Sequence, residues 1–154
     1  MLKRNASIIG LLLLSALLAG LLTAAAPLPV PTTTFQLLSS LPSTMNVGDT
    51  ATLVVQVTSD QEFLIAQMMP TFHFPGRGLM ATNMGGDRVH GGTSATLAIT
   101  YVAKNSTADL PDEGVCETAG FAAVAAYVGV RYQGSGYIAT QRFPAEGFYC
   151  VKVP

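Results

Sequence analysis

The 154-residue chain contains no tryptophan, only two cysteines and few charges, with Asp, Glu, Lys and Arg making up 11% of the sequence. An average soluble domain has about 25% charged residues. Two of the basic residues, Lys3 and Arg4, precede an N-terminal apolar segment, which leaves 6 basic against 9 acidic residues and a net charge near −3. Nucleic-acid binding requires a concentrated basic surface, and no basic run occurs. The composition therefore argues against a nucleic-acid partner.

The N-terminal segment from Ala6 to Ala26 carries no charge and is rich in leucine. A basic start, an apolar stretch and the small residues 23–26 are typical of a signal peptide, with cleavage after Ala25. Residues 8–26 are also long enough to span about 30 Å of hydrocarbon as an uncleaved anchor. Either alternative predicts an extracytoplasmic protein, whether secreted, periplasmic or attached to the outer side of the cell membrane. Membrane contact is expected only if the segment is retained.

The sequence divides the chain into three parts. Residues 1–25 are the signal peptide or signal anchor, and residues 26–34 are a Pro/Thr-rich spacer that favours extended backbone. Residues 35–154 form one domain of ordinary size.

The two cysteines, Cys116 and Cys150, are predicted to form a disulfide, since an exported protein with an even cysteine count usually pairs them. The alternative is a pair of free buried thiols.

Alternation of apolar and polar residues predicts strands through most of the domain. Leu53, Val55 and Val57 share one strand face, and Ala95, Leu97, Ile99 and Tyr101 share another. The segment 63–69 is expected to end at Pro70, and Gly85 to Gly92 is expected to be a loop. Residues 121–132 alternate but are alanine-rich, so strand and helix both remain open. About seven strands predict an all-β, antiparallel sandwich.

Two segments carry a family resemblance: Met45 to Ser59, and the Gly-rich turn and alternating run from Gly91 to Tyr101. They resemble bacterial extracellular immunoglobulin-like modules over roughly residues 32–154. The resemblance implies an immunoglobulin-like β-sandwich that serves adhesion, spacing or scaffolding at a cell surface. The chain departs from antibody-type domains in lacking their core tryptophan and in having both cysteines late in the sequence.

An unusual set of thioether and imidazole side chains falls within 23 residues: Met68, Met69, His73, Met80, Met84 and His90. Such ligands suit copper, particularly Cu(I). The alternative is that the methionines fill a core or a contact surface, and that His73, between Phe72 and Phe74, is solvated on the opposite strand face. A copper-binding protein is therefore one alternative function, and otherwise no cofactor is expected.

No catalytic constellation is evident in the sequence. Ser94 or Ser135 could join a His and an Asp, but neither lies in a G-x-S-x-G turn. The loop acids Asp109, Asp112, Glu113 and Glu117 lack the spacing of an EF-hand.

We therefore expect a non-enzymatic module that contacts a protein or a cell-surface polymer. Loops carry function on such scaffolds, and 75–92 and 104–116 are the candidate contact loops. If the leader is retained, the alternative is an accessory subunit of a membrane complex.

Overall fold

The computed structural model describes residues 29–134 and 138–154, and the secondary structure of these residues is entirely β. The strands are β1 (Thr33–Ser39), β2 (Thr50–Ser59), β3 (Phe63–Phe72), β4 (Leu79–Ala81), β5 (Asp87–His90), β6 (Ser94–Ala103), β7 (Ala122–Tyr132), β8 (Ile138–Phe143) and β9 (Tyr149–Val151). The described part of the chain contains no helix long and apolar enough to cross a membrane. The predicted leader, residues 1–25, and Ser135 lie outside the described residues.

The strands form two antiparallel sheets. The first sheet has the order β1-β2-β6-β4, and the second has the order β5-β3-β7-β8. Strand β9 also pairs with β7, alongside residues 122–124, whereas β8 pairs with residues 126–131 of the same strand. The all-β, two-sheet prediction is confirmed, although nine strands are present among the described residues rather than about seven.

One hydrophobic core lies between the two sheets. The predicted inward residues of β2 (Leu53, Val55 and Val57) are fully buried, and those of β6 (Ala95, Leu97, Ile99 and Tyr101) are at most 5% exposed. The alternating side chains thus face inward as their period of two predicts. Burial raises the pKa of Tyr101 well above its ordinary value, and the electrostatic effect of Tyr149 adds a smaller rise. The Tyr101 hydroxyl donates a hydrogen bond to the Ala125 carbonyl. This phenol therefore stays neutral across the physiological range.

The open question at residues 121–132 is decided in favour of a strand. Strand β7 is central in the second sheet, with β3 on one side and β8 and β9 on the other. Its alanines Ala122, Ala123, Ala125 and Ala126 are all nearly inaccessible to solvent. The part of β7 that contains these alanines is covered on both faces, and only small side chains fit there. This requirement explains why the segment is rich in alanine, a residue that also favours helices.

Two predicted boundaries are wrong. The expected loop from Gly85 to Gly92 contains β5, which pairs with Ile65 to Met68 of β3. Asp87 holds this short strand near the first sheet, because its carboxylate accepts a hydrogen bond from the Ala98 N–H at 2.8 Å. Strand β3 also continues through Pro70. Strand β5 reaches only as far as Met68, so at Pro70 β3 has a locally free edge, where proline is tolerated.

The predicted disulfide between Cys116 and Cys150 is confirmed, with 5.9 Å between the two Cα atoms. It links the long loop between β6 and β7 to β9. Such a bond is compatible with an oxidising compartment outside the cytoplasm. The chain end is also held by backbone hydrogen bonds, because the Met45 N–H donates to the Lys152 carbonyl and the Lys152 N–H donates to the Ser43 carbonyl.

Candidate functional site

The outer face of the second sheet is the most distinctive surface of the described structure. Side chains that are opposite in an antiparallel register point to the same face. Gln67 lies opposite both Arg88 and Gly129, and Gly129 lies opposite Thr140. Ile65 lies opposite His90 and Arg131 in the neighbouring row. In the third row Met69 faces Tyr127, which in turn faces Arg142.

A groove of about 450 Å³ lies at the centre of this face. Its floor is Gly129, where an added Cβ would meet only the Thr140 Cγ2 atom, at 3.9 Å. A glycine in the interior of a strand weakens the strand and often marks a place where another backbone or a ligand approaches closely. The side chains that rise around the floor are those of Ile65, Gln67, Met69, Arg88, Tyr127, Arg131, Ile138 and Thr140. We call this set, with Gly129, the groove.

The wall beside Tyr127 is held in place by Arg142. Its guanidinium carbon lies 4.6 Å from the ring centroid of Phe148 and 5.9 Å from that of Tyr127. The guanidinium also donates a hydrogen bond to the Pro144 carbonyl at 3.1 Å. Contacts of this kind restrict the rotamers of Arg142 and Tyr127. An aromatic side chain that is positioned before binding loses less entropy when a partner covers it.

The groove combines exposed apolar groups with cations. Met69, Tyr127 and Ile138 are 47%, 49% and 56% exposed, and none of the described residues that line the groove is acidic. Exposed apolar surface of this kind marks contact sites in soluble proteins.

The outer face of the first sheet has a different character. Thr52 and Thr100 join their hydroxyls at 2.9 Å across β2 and β6, and Gln56 lies opposite Thr96 in the same pair of strands. This face also carries Met80, which is 43% exposed, but the strands of the first sheet contain no arginine. The second sheet differs in combining exposed apolar side chains with arginines.

The acidic loop between β6 and β7 is tied to the body rather than projecting from it. Asp109 forms an ion pair with Arg77 at 2.9 Å, and the Glu113 carboxylate accepts a hydrogen bond from the His73 Nε2–H group at the same distance. The His73 side chain is 28% exposed, so it keeps part of the solvation expected from the sequence, and it also packs edge-on against the Phe74 ring. Across residues 29–134 and 138–154, no three His, Cys, Asp or Glu side chains are grouped to hold a metal ion.

The six candidate copper ligands are distributed over several surfaces. Met68 is fully buried in the core, while Met69 lies on the outer face of the second sheet. His90 shares that face, opposite Ile65. Met80 points outward from β4 in the first sheet, and Met84 is 58% exposed in the loop that follows. Met80 and His90 thus belong to outer faces of different sheets, and copper binding stays a prediction from the sequence.

One of the two candidate contact loops differs from its expected form, whereas 104–116 does lie in the loop between β6 and β7. The segment 75–92 contains β4 and β5, which pair with different sheets, so much of it is regular structure. The groove was missed because its residues come from four strands. One signal was present, since Tyr127, Gly129 and Arg131 alternate with inward valines in β7 and include a glycine inside an otherwise regular strand.

Compared with models of known protein families and with curated proteins, the chain matches neither a family model nor a curated protein.

Proposed function

We propose that this chain is an extracytoplasmic, immunoglobulin-like module that binds another protein through the groove on the outer face of its second sheet. The observation that carries the proposal is the groove itself, where half-exposed apolar side chains and arginines surround a glycine floor. Tyrosine, methionine and arginine are enriched in protein interfaces, whereas lysine, aspartate and glutamate are depleted. The groove has this composition, with no lysine and no carboxylate among its lining residues.

The strand order supports an immunoglobulin-like arrangement. Immunoglobulin sandwiches place strands A, B, E and D in one sheet and C, F and G in the other. With β5 and β9 set aside, β1 to β4 and β6 to β8 take the positions A to G, which gives the same two sheets. Strand β5 is an addition beside the C-like strand, and it follows the D-like strand in the chain.

Export is supported by two independent features. The basic and leucine-rich N-terminal sequence is typical of a signal peptide or anchor. The Cys116–Cys150 disulfide suits an oxidising compartment. A binding role needs no further chemistry, because the groove can act by burial and hydrogen bonding alone.

Site-specific photo-crosslinking in the cells that produce the protein tests the proposal. A photoreactive phenylalanine derivative replaces Tyr127 in the groove or, as the matched control, Thr96 on the outer face of the first sheet. We expect position 127 to give a discrete protein adduct and position 96 to give none, because only the groove is covered by a partner.

A second substitution shows whether the adduct depends on the groove. Gly129→Trp fills the floor, where the added Cβ meets only the Thr140 Cγ2 atom at 3.9 Å, and Thr96→Trp adds an indole to the other sheet. The adduct should disappear with Gly129→Trp and persist with Thr96→Trp, while thermal unfolding verifies that both variants fold. Equal crosslinking from positions 127 and 96, or an adduct insensitive to Gly129→Trp, would contradict the proposal.

A further inference from the structure

The outer face of the second sheet concentrates positive charge in a domain whose net charge is negative. Arg88, Arg131 and Arg142 account for three of the six basic residues that follow the leader. All nine acidic residues follow the leader, but none of them is among the described residues that line the groove. The charge of the side chains that line the groove is therefore opposite in sign to the net charge of the domain.

Two of these arginines have no carboxylate partner. Among the described residues, the ion pairs are those of His73 with Glu113 and Arg77 with Asp109, so neither Arg88 nor Arg131 forms one. Arg142, by contrast, is engaged by the Phe148 ring and the Pro144 carbonyl. Arg88 and Arg131 both line the groove and are exposed, which leaves their guanidinium donors available to a ligand.

The register sets these two arginines at adjoining sides of the groove, in neighbouring rows of the sheet. Arg88 is on β5 and Arg131 is on β7, with β3 between them. Neighbouring strands are about 4.8 Å apart, so the two backbones are separated by about 10 Å. Two ligand carboxylates above the groove, one beside Arg88 and one beside Arg131, could each receive a planar, two-donor contact from one guanidinium.

We infer that the partner presents an acidic and partly apolar protein segment, whose carboxylates bind Arg88 and Arg131 while its apolar side chains pack on Met69, Tyr127 and Ile138. This inference deepens the proposed function and rests on it. An acidic polysaccharide would satisfy the arginines equally well, but it has little aliphatic surface with which to cover Met69 and Ile138. The mixture of aliphatic and cationic groups therefore favours a protein.

Selection from a displayed library of random dodecapeptides tests the inference on the intact domain. Peptides selected on the wild-type protein should carry a net negative charge together with apolar residues. Their affinity, measured by fluorescence anisotropy, should fall at least about tenfold in Arg88→Glu/Arg131→Glu, because two attractive charges become repulsive. The matched control Lys104→Glu/Lys152→Glu changes the net charge equally at exposed sites outside the groove and should bind almost as the wild type does.

Three results would overturn the acidic-partner inference. These are selected peptides without an acidic bias, an arginine double variant that binds them as well as its control does, and displacement of the peptides by polygalacturonate at equal carboxylate concentration. Gly129→Trp distinguishes a failure of the acidic-partner inference from a failure of the proposed function. If Gly129→Trp abolishes peptide binding but charge reversal does not, the groove remains the site and only the partner class is wrong. If Gly129→Trp leaves peptide binding unchanged, the groove is not the binding site, and both the proposed function and the acidic-partner inference are wrong.

Discussion

Replacing Cys116 and Cys150 together with alanine is expected to lower the free energy of unfolding by about 4 kcal/mol, the largest effect among the substitutions considered. The disulfide closes a loop with a sequence separation of 34 residues. In the chain-entropy model, opening a loop of this size raises the conformational entropy of the unfolded state and so stabilises it by about 4 kcal/mol. Urea unfolding of the wild type and the double variant, each with and without reductant, measures the difference.

Reductant provides the control for this measurement. It should shift the unfolding midpoint of the wild type toward that of the double variant and leave the double variant unchanged. The groove side chains Met69 and Arg131 come from strands that the disulfide does not bridge directly. We therefore expect the folded double variant to retain peptide binding. A difference in unfolding free energy below about 1 kcal/mol would mean that β9 and the long loop are held mainly by other contacts.

Thr107→Val is expected to lower the free energy of unfolding by about 2 kcal/mol, since it leaves two buried polar groups without partners. Thr107 is fully buried, and its hydroxyl donates to the Gly120 carbonyl at 2.7 Å while accepting from the Val153 N–H at 2.9 Å. Valine has nearly the same shape but no hydroxyl. The chain end and the long loop therefore lose a hydrogen bond each, with little change in packing.

Thr107→Ser is the matched control for this effect, because it keeps the hydroxyl and removes only a methyl group. Its expected loss is about 1 kcal/mol, the cost of one buried methyl. Thermal or urea unfolding of the wild type, Thr107→Val and Thr107→Ser gives the order of their stabilities. A valine variant as stable as the serine variant would show that the hydroxyl network contributes little.

The strands with strict alternation could be predicted from the sequence, because a half-buried sheet imposes a period of two on its residues. Leu53, Val55 and Val57 in β2 and the four inward residues of β6 are such cases, and all face the core. The disulfide followed from an even cysteine count together with a predicted leader. Residues 122–126 could not be assigned from composition, since the small side chains reflect cover on both faces, which depends on distant segments.

Strand β5 and the groove could not be predicted, for a related physical reason. Asp87 to His90 is flanked by glycines and has no alternation long enough to indicate a strand; its position depends on pairing with Ile65 to Met68 and on the Asp87 carboxylate. The groove joins side chains from β3, β5, β7 and β8. Which residues share a row is a property of the register, and the sequence alone does not specify the register between distant strands.

Methionine oxidation in intact cells tests the central claim, that a partner covers the groove, most directly. Met69 and Met80 are 47% and 43% exposed but lie on the outer faces of different sheets, so each serves as the other's control. Brief treatment with hydroxyl radicals, followed by mass spectrometry, compares their oxidation in cells and in the purified protein. We expect Met69 to be protected in cells and Met80 to be oxidised to the same extent in both samples. Equal oxidation of Met69 in cells and in the purified protein, or protection of Met80 alone, would contradict it.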